Sequence, residues 1–155
     1  RKNPKGLEAV VAKEITINEK GINHAMYKGK SKVFDAFCWH YDDTETLPSN
    51  ANVLASNKKS EIQSITFDLN DSSVWAVQYH PEFDPIWIAG LMKQREDILL
   101  KEKAFSKKKY FDEELQFFSN YKNLQDKKNR EKYKDLINLN SHTLELSNWI
   151  QQLKN

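Results

Sequence analysis

The sequence changes character near residue 84, and this change limits the folds that are open to the chain. Up to residue 79, short runs of β-branched and aromatic residues alternate with turn residues such as Gly21 and Gly29. No proline follows Pro85 and no glycine follows Gly90, and apolar residues then recur at helical spacing. We therefore expect an α/β protein whose strands come first and whose helices come last.

The first part contains five runs that are typical of β-strands, at residues 7–17, 32–40, 47–56, 62–69 and 74–79. The last run, VWAVQY, is apolar almost throughout, which favours a central strand covered on both faces. The second part predicts three helices, over residues 88–100, 111–121 and 144–153. In the last helix, we expect Leu144, Leu146, Trp149, Ile150 and Leu153 to form the apolar face.

Length and charge exclude several classes of protein. The 155 residues suit one domain with a core of its own, and 24 basic against 22 acidic residues leave a formal net charge of +2. Neither a membrane surface nor nucleic acid is therefore an expected partner, and no apolar run approaches the ~18 residues of a membrane span.

The single cysteine and the first residues bear on the cellular setting. Cys38 has no partner for an internal disulfide, so a reducing, cytoplasmic location fits best. The chain opens on Arg1, with neither an initiator methionine nor a secretory signal. We therefore expect an internal piece of a longer protein.

The stretch VQYHPEF places a histidine, a proline and a glutamate directly after the last predicted strand. Pro81 ends the strand and fixes the path of the turn, because it lacks an N–H and its φ angle is locked. Residues two apart in extended backbone point the same way, so the carboxylate of Glu82 would reach the imidazole of His80 and fix its tautomer. This arrangement suits general acid–base catalysis. A histidine at a strand end also serves as a simple turn cap, and the tripeptide alone does not separate the two interpretations.

The wider pattern resembles the C-terminal half of a class I glutamine amidotransferase domain. The resemblance is carried by the entry NPKGLEA, by FDAFCWHYDDTETLPSNANVLASN, in which a strand ends in His40 with Asp42 nearby, and by VQYHPEF. It covers residues 3 to about 91. It implies a flavodoxin-like α/β core, N-terminally truncated here, with residues 1–100 as the C-terminal part of that domain and residues 101–155 as a mostly helical extension packed on it.

The resemblance also implies the chemistry. Members of this family hydrolyse glutamine through a Cys-His-Glu triad, in which His80 and Glu82 match the histidine and the acid. His40 and Gln78 are then substrate-side candidates. Neither a metal nor an organic cofactor is required, and the ammonia released passes to a synthase partner or domain. The same thioester chemistry also serves a γ-glutamyl peptidase.

The nucleophile that the family requires is missing from its expected pattern. In the family, this cysteine lies upstream on a tight G-x-C-x-G turn between a strand and a helix. Cys38 stands between Phe37 and Trp39 in a β-type run, so we expect it to be a small buried core residue. The chain as given is therefore predicted to be catalytically inactive.

Three further features have plainer interpretations. His40, Asp42 and Asp43 match no standard metal-ligand spacing. His24 is interpreted as a surface residue, and His142 as part of the first turn of the last helix, with Ser141 as its N-cap.

Residues 101–134 combine eleven basic and six acidic residues with aromatic residues at helical spacing. The spacing favours a core-facing aromatic stripe with solvated lysines, namely Tyr110, Phe111, Phe117, Phe118, Tyr121 and Tyr133. The alternative is a non-catalytic interaction module that docks a partner through Lys107, Lys108 and Lys109.

Overall fold

The computed structural model describes residues 1–123 and 126–153. The remaining residues, Leu124, Gln125, Lys154 and Asn155, belong to the predicted helical region and lie outside the described part of the chain. No helix within the described residues has the length and apolar character needed to cross a membrane.

The strands form one curled sheet in the order β2-β1-β3-β4-β5, and every neighbouring pair is antiparallel. Their bounds are β1 Glu8–Ile17, β2 Val33–His40, β3 Asn52–Ser56, β4 Ser64–Leu69 and β5 Ser72–Val77. All five predicted strands are present. β3 is shorter than predicted because the chain makes a turn just before it, in which the N–H of Ala51 donates to the carbonyl of Pro48.

The prediction that VWAVQY forms a central strand is wrong. Among the described residues, β5 pairs only with β4, and residues 74–77 are half-buried. After β5, the chain stops pairing with β4 and crosses to β2, at the other end of the strand order. There, Tyr79 forms a bridge with Cys38. The apolar run therefore consists of an edge strand and the segment that closes the curled sheet. Hydropathy alone does not separate this arrangement from a central strand.

Eight α-helices and a short 3₁₀ helix at Ala25–Tyr27 complete the described structure. They are α1 Glu19–Ile22, α2 Pro85–Gln94, α3 Glu96–Lys101, α4 Lys108–Asn120, α5 Lys127–Lys132, α6 Lys134–Ile137, α7 Leu139–His142 and α8 Leu144–Gln152. The helix predicted over residues 88–100 is two helices that break at Arg95. α2 starts where the sequence chemistry favours it, because Asp84 caps its N-terminus and Pro85 occupies its first turn.

Two apolar clusters hold the fold together. One lies inside the curled sheet and includes Ile15, Phe34 and Tyr79. The other joins β1 and β2 to the helices, with Phe37 packed edge-on against Phe118 of α4 at 5.4 Å between ring centroids. The predicted aromatic stripe of the helical region faces this second core at Phe111, Phe117, Phe118 and Tyr133, whereas Tyr110 is exposed.

The apolar face predicted for the last helix is exposed at four of its five residues, whereas Leu144 is half-buried. In α8, Glu145 and Asn148 are buried, while four apolar side chains are exposed: Leu146, Trp149, Ile150 and Leu153 just beyond the helix. Asn148 donates to the backbone carbonyls of Met26 and Lys28, at 2.9 and 3.0 Å. Buried polar groups therefore take part in docking this helix.

Two glycines provide a matched test of the packing. A Cβ at Gly21 would lie 2.4 Å from the carbonyl oxygen of Leu54, whereas a Cβ at Gly90 meets nothing within 4 Å. We expect Gly21→Ala to lower the free energy of unfolding by ~1–3 kcal/mol, because backbone has to move. Gly90→Ala lies within α2 and should raise it by ~0.5–1 kcal/mol. Urea unfolding of both variants checks this, and equal effects would contradict the tight approach of α1 to β3.

Candidate functional site

The turn after β5 brings a histidine and a carboxylate into direct contact. Nδ1 of His80 lies 2.7 Å from Oε1 of Glu82, and both side chains reach solvent, at 31% and 56% exposure. A carboxylate only accepts hydrogen bonds, so Nδ1 carries the proton and Nε2 is the basic nitrogen of the neutral ring. The arrangement orients an imidazole whose second nitrogen is available for proton transfer.

Stacking and backbone hydrogen bonds fix the orientation of this ring. The His80 ring lies on the ring of Phe83, with 4.0 Å between centroids and 2° between planes, and Phe83 in turn contacts Trp87. The N–H of His80 donates to the carbonyl of Phe37 at 2.7 Å. The Phe83 carbonyl in turn accepts from Nε2 of His142 at 2.6 Å. Both ends of the turn are therefore tied to other elements.

The two substrate-side candidates are placed differently from each other. Nε2 of Gln78 donates to the backbone carbonyl of Ile62 at 3.3 Å, so this amide is bonded to the segment that leads into β4. His40 ends β2 opposite Glu8 of β1, and its Nε2 lies 2.9 Å from the Glu8 carboxylate. In the described part of the chain, no hydrogen bond, ion pair or ring contact is seen between either of these side chains and the His80–Glu82 pair.

Glu8 is the centre of a buried polar network that sequence reasoning missed. Its side chain is 6% exposed and accepts from Asn57 Nδ2 at 2.7 Å and from Gln63 Nε2 at 2.8 Å, in addition to His40. A buried carboxylate needs such partners because isolated burial of a charge is costly. The only sequence signal was its place in NPKGLEA, at the start of an apolar run.

Both ring nitrogens of His40 face acceptors, the Glu8 carboxylate and the backbone carbonyl of Asp42 at 3.0 Å. Only the imidazolium form donates from both nitrogens. Burial by itself lowers the pKa of His40, but the hydrogen bonds to Glu8 and Asp42 and the charge of Glu8 raise this pKa above its ordinary value. His40 and Glu8 thus form an ion pair whenever the ring is protonated, and the raised pKa extends that state to a higher pH than in a free imidazole.

Cys38 lies in the core, as its sequence neighbours indicated. Its side chain is fully buried in the cluster inside the sheet. Burial, together with the charge of Glu8, raises the pKa of the Cys38 thiol well above its ordinary value. A buried thiol that resists ionisation is not a nucleophile.

The other candidate groups are engaged in structural contacts. Asp43 accepts from the hydroxyl of Ser60 at 2.6 Å, and within the described residues no three His, Cys, Asp or Glu side chains are grouped to hold a metal ion. Lys108 pairs with Glu96 and Asp112, and Lys109 lies 3.7 Å from Glu113. Two of the three lysines of the alternative docking surface are therefore paired with neighbouring carboxylates.

Two histidine interpretations need correction. His24 is half-buried, caps the 3₁₀ helix and lies edge-on against Trp75 at 5.1 Å. His142 is the last residue of α7, whose N-cap is Asn138 rather than Ser141, and its ring is buried. No local pattern signals this burial, because the partner of His142 is the carbonyl of Phe83, 59 residues away.

The His40–Glu8 pair predicts a pH-dependent contribution to stability. Because the pKa of His40 is raised in the folded protein, its contribution is fully present below the ordinary value of 6.5 and is lost as the pH rises through the folded value. The stability difference between the protein and its His40→Gln variant should therefore be larger at about pH 5.5 than at about pH 8.5. Urea unfolding at both pH values checks this, and a difference that grows with pH would contradict the ion pair.

Comparison with known proteins identifies the family of this chain. The family model of class-I glutamine amidotransferases matches residues 6–86, which is 81 of the 155 residues. The gamma-glutamyl-L-1-hydroxyisopropylamide hydrolase of a Pseudomonas species is 27% identical over 150 residues, which is 94% of this chain and 50% of that protein. One subunit of the glutamine-hydrolyzing GMP synthase of Methanosphaera stadtmanae is 29% identical over 59 residues, covering 38% of this chain and 31% of that protein. The chain thus spans half or less of the length of these curated relatives.

The fold agrees with this assignment. A glutamine amidotransferase from Thermotoga maritima superposes with a TM-score of 0.61 at 19% identity, over 95% of this chain and 53% of that chain. The expected α/β fold of the family is therefore confirmed, with the curled antiparallel sheet and the helices described above. Together, the sequence match and the fold show that this chain belongs to the class I glutamine amidotransferase family.

Proposed function

We propose that the chain supplies the histidine and the acid of a Cys-His-Glu triad that hydrolyses glutamine to glutamate and ammonia. The observation that carries the proposal is the 2.7 Å contact between His80 Nδ1 and Glu82 Oε1, on a turn fixed at both ends. In such a triad, the acid orients the imidazole and stabilises its protonated form, while the other ring nitrogen exchanges protons with the reacting groups.

The chemistry assigns each proton to a group. His80 Nε2 takes the proton of a cysteine thiol as the sulfur attacks Cδ of the glutamine side chain. The protonated ring then gives that proton to the departing nitrogen, so ammonia leaves and a γ-glutamyl thioester remains. His80 next takes a proton from water as its oxygen attacks the thioester, and returns that proton to sulfur as glutamate departs. Glu82 keeps the ring in one orientation through both halves.

The thiol of this reaction lies outside the 155 residues, because their single cysteine is buried in the core. We therefore expect the chain by itself to release no ammonia and the protein that also carries the nucleophile to be active. A thiol nucleophile is suited to a reducing compartment, so we place the protein in the cytoplasm.

The donor is either glutamine itself or another γ-glutamyl amide. The relative that aligns with 94% of this chain is named for hydrolysis of a γ-glutamyl alkylamide, which supports the second choice. The same thioester forms in both cases, and only the leaving amine differs. A γ-glutamyl peptide is a third donor of the same type.

A synthase that receives the ammonia is the proposed partner if glutamine is the donor. Support comes from the relative that is named as one subunit of a glutamine-hydrolyzing GMP synthase. A purely non-catalytic docking role through Lys107, Lys108 and Lys109 is less well supported, because Lys108 and Lys109 already pair with Glu96, Asp112 and Glu113.

The triad proposal predicts the effect of removing each group. In the complete protein, His80→Ala should lower kcat for amine release by roughly 10²-fold or more, because the proton carrier is lost. Glu82→Gln should also lower kcat strongly, since the amide donates as well as accepts and no longer fixes the tautomer. Ammonia release from glutamine and amine release from a γ-glutamyl alkylamide are measured side by side.

Glu131→Gln is the matched control, because it removes an exposed carboxylate that pairs with Lys134 at 2.9 Å in the helical region. Its kcat should match that of the unmodified protein. Full activity of a folded His80→Ala variant would rule out the triad. The faster of the two donors identifies the substrate class.

A further inference from the structure

The C-terminal helices reach the turn of the candidate site through a buried histidine. The His142 side chain at the end of α7 is buried, and its Nε2 donates to the Phe83 carbonyl at 2.6 Å. The same ring lies edge-on against Phe37, with 5.2 Å between centroids, and the Phe37 carbonyl accepts the N–H of His80. The His142 side chain therefore contacts both Phe37, which binds the His80 backbone, and Phe83, which stacks on the His80 ring.

A second contact holds the residue just before His80. Oε1 of Glu145, on α8, accepts from the hydroxyl of Tyr79 at 2.7 Å. Its other oxygen lies 2.9 Å from Nζ of Lys30, and the side chains of this ion pair are only 3% and 4% exposed. Lys30 also donates to the carbonyl of Ser141 at 2.8 Å, so the whole group is satisfied. The Tyr79 hydroxyl is also within 3.0 Å of Tyr27, which fixes it from the other side.

The docking of α8 on the sheet uses polar groups at defined positions. α8 buries Glu145 and Asn148 against the sheet while Trp149 and Ile150 stay exposed. Replacing a buried ion pair by well-packed apolar side chains is often neutral or stabilising, so stability alone does not account for the choice. Directional hydrogen bonds do fix position. Here they act on Tyr79 and Phe83, the residues on either side of the His80–Pro81–Glu82 tripeptide.

We propose that His142 and Glu145 are positioning residues that hold the Tyr79–Phe83 turn so that His80 keeps its contact with Glu82. The proposal rests on the proposed function for its catalytic consequence. Neither residue touches the reacting atoms. Each acts through the turn. His142 binds the carbonyl of Phe83, whose ring stacks on His80, and Glu145 binds the hydroxyl of Tyr79, which precedes His80.

The test compares three variants of the complete protein with a matched control. His142→Leu removes the donor to Phe83, and His142→Gln restores an amide donor at a similar place. Tyr79→Phe keeps the ring and removes the hydroxyl that is bonded to Glu145 and also contacts Tyr27, so it tests the hold on the Tyr79 side chain as a whole. Asn148→Leu is the control, because it removes two buried hydrogen bonds from α8 to Met26 and Lys28 but none to the turn.

Two readouts separate positioning from stability. Nitrogen-15 NMR of the histidine rings reports the His80 tautomer, which should be Nδ1–H in the unmodified protein and in His142→Gln, and mixed in His142→Leu and Tyr79→Phe. Steady-state kinetics should show kcat lower by about tenfold in His142→Leu with KM nearly unchanged, and a recovery of most of this loss in His142→Gln. Asn148→Leu should lower stability and leave the His80 signals as they are.

The outcomes distinguish the two proposals. If His142→Leu and Tyr79→Phe keep the His80 tautomer and kcat of the unmodified protein, the positioning role is wrong. Equal His80 changes in Asn148→Leu would also overturn it, because the effect would then be one of general stability. If the unmodified protein releases no amine from any γ-glutamyl donor, the proposed function fails, while the NMR measurement still decides whether these residues position His80.

Discussion

The candidate site depends on one backbone hydrogen bond, from the N–H of His80 to the carbonyl of Phe37 at 2.7 Å. With the Tyr79–Cys38 bridge beside it, this bond attaches the chain leaving β5 to β2, at the opposite side of the sheet. Without the attachment, the His80 turn would extend from an edge strand with a single neighbour. Curling of the sheet therefore converts an edge into a fixed platform, and the apolar residues of the run 74–79 are partly covered by that closure.

The platform is stiffened from within by the Glu8–His40 ion pair, which joins the first residue of β1 to the last residue of β2. The same carboxylate also accepts from Asn57 and Gln63, so four segments of the sheet region meet at one buried charge. A buried carboxylate is costly without its partners, so loss of any one of them should destabilise the arrangement. His40, a substrate-side candidate in the sequence, is one of the groups that this carboxylate binds.

Much of the fold could be predicted from the sequence, because strand alternation and helical spacing report local periodicity. β1, β2 and β4 follow their runs closely, and Phe111, Phe117 and Phe118 face the core as their spacing indicated. The errors share a physical origin. Periodicity states which side chains share a face, but long-range contacts decide which face turns inward, so most of the face predicted for α8 is exposed. Likewise, the burial of His142 depends on the Phe83 carbonyl, which no local pattern reveals. The His80–Glu82 contact was predictable because it is local, with one residue between its partners.

The contacts of α7 and α8 connect the stability of the C-terminal helices to the geometry of the site. These helices are only four and nine residues long, and isolated helices of such length are unstable in water, so tertiary contacts must hold them in place. Those contacts include the two that end on Tyr79 and Phe83. A local opening that frees α7 and α8 would then remove both side-chain contacts at once, while the backbone contacts of Tyr79 and His80 with β2 remain. A modest loss of docking stability leaves the docked state predominant, so the orientation of His80 follows the particular contacts on Tyr79 and Phe83 rather than the overall stability of α8.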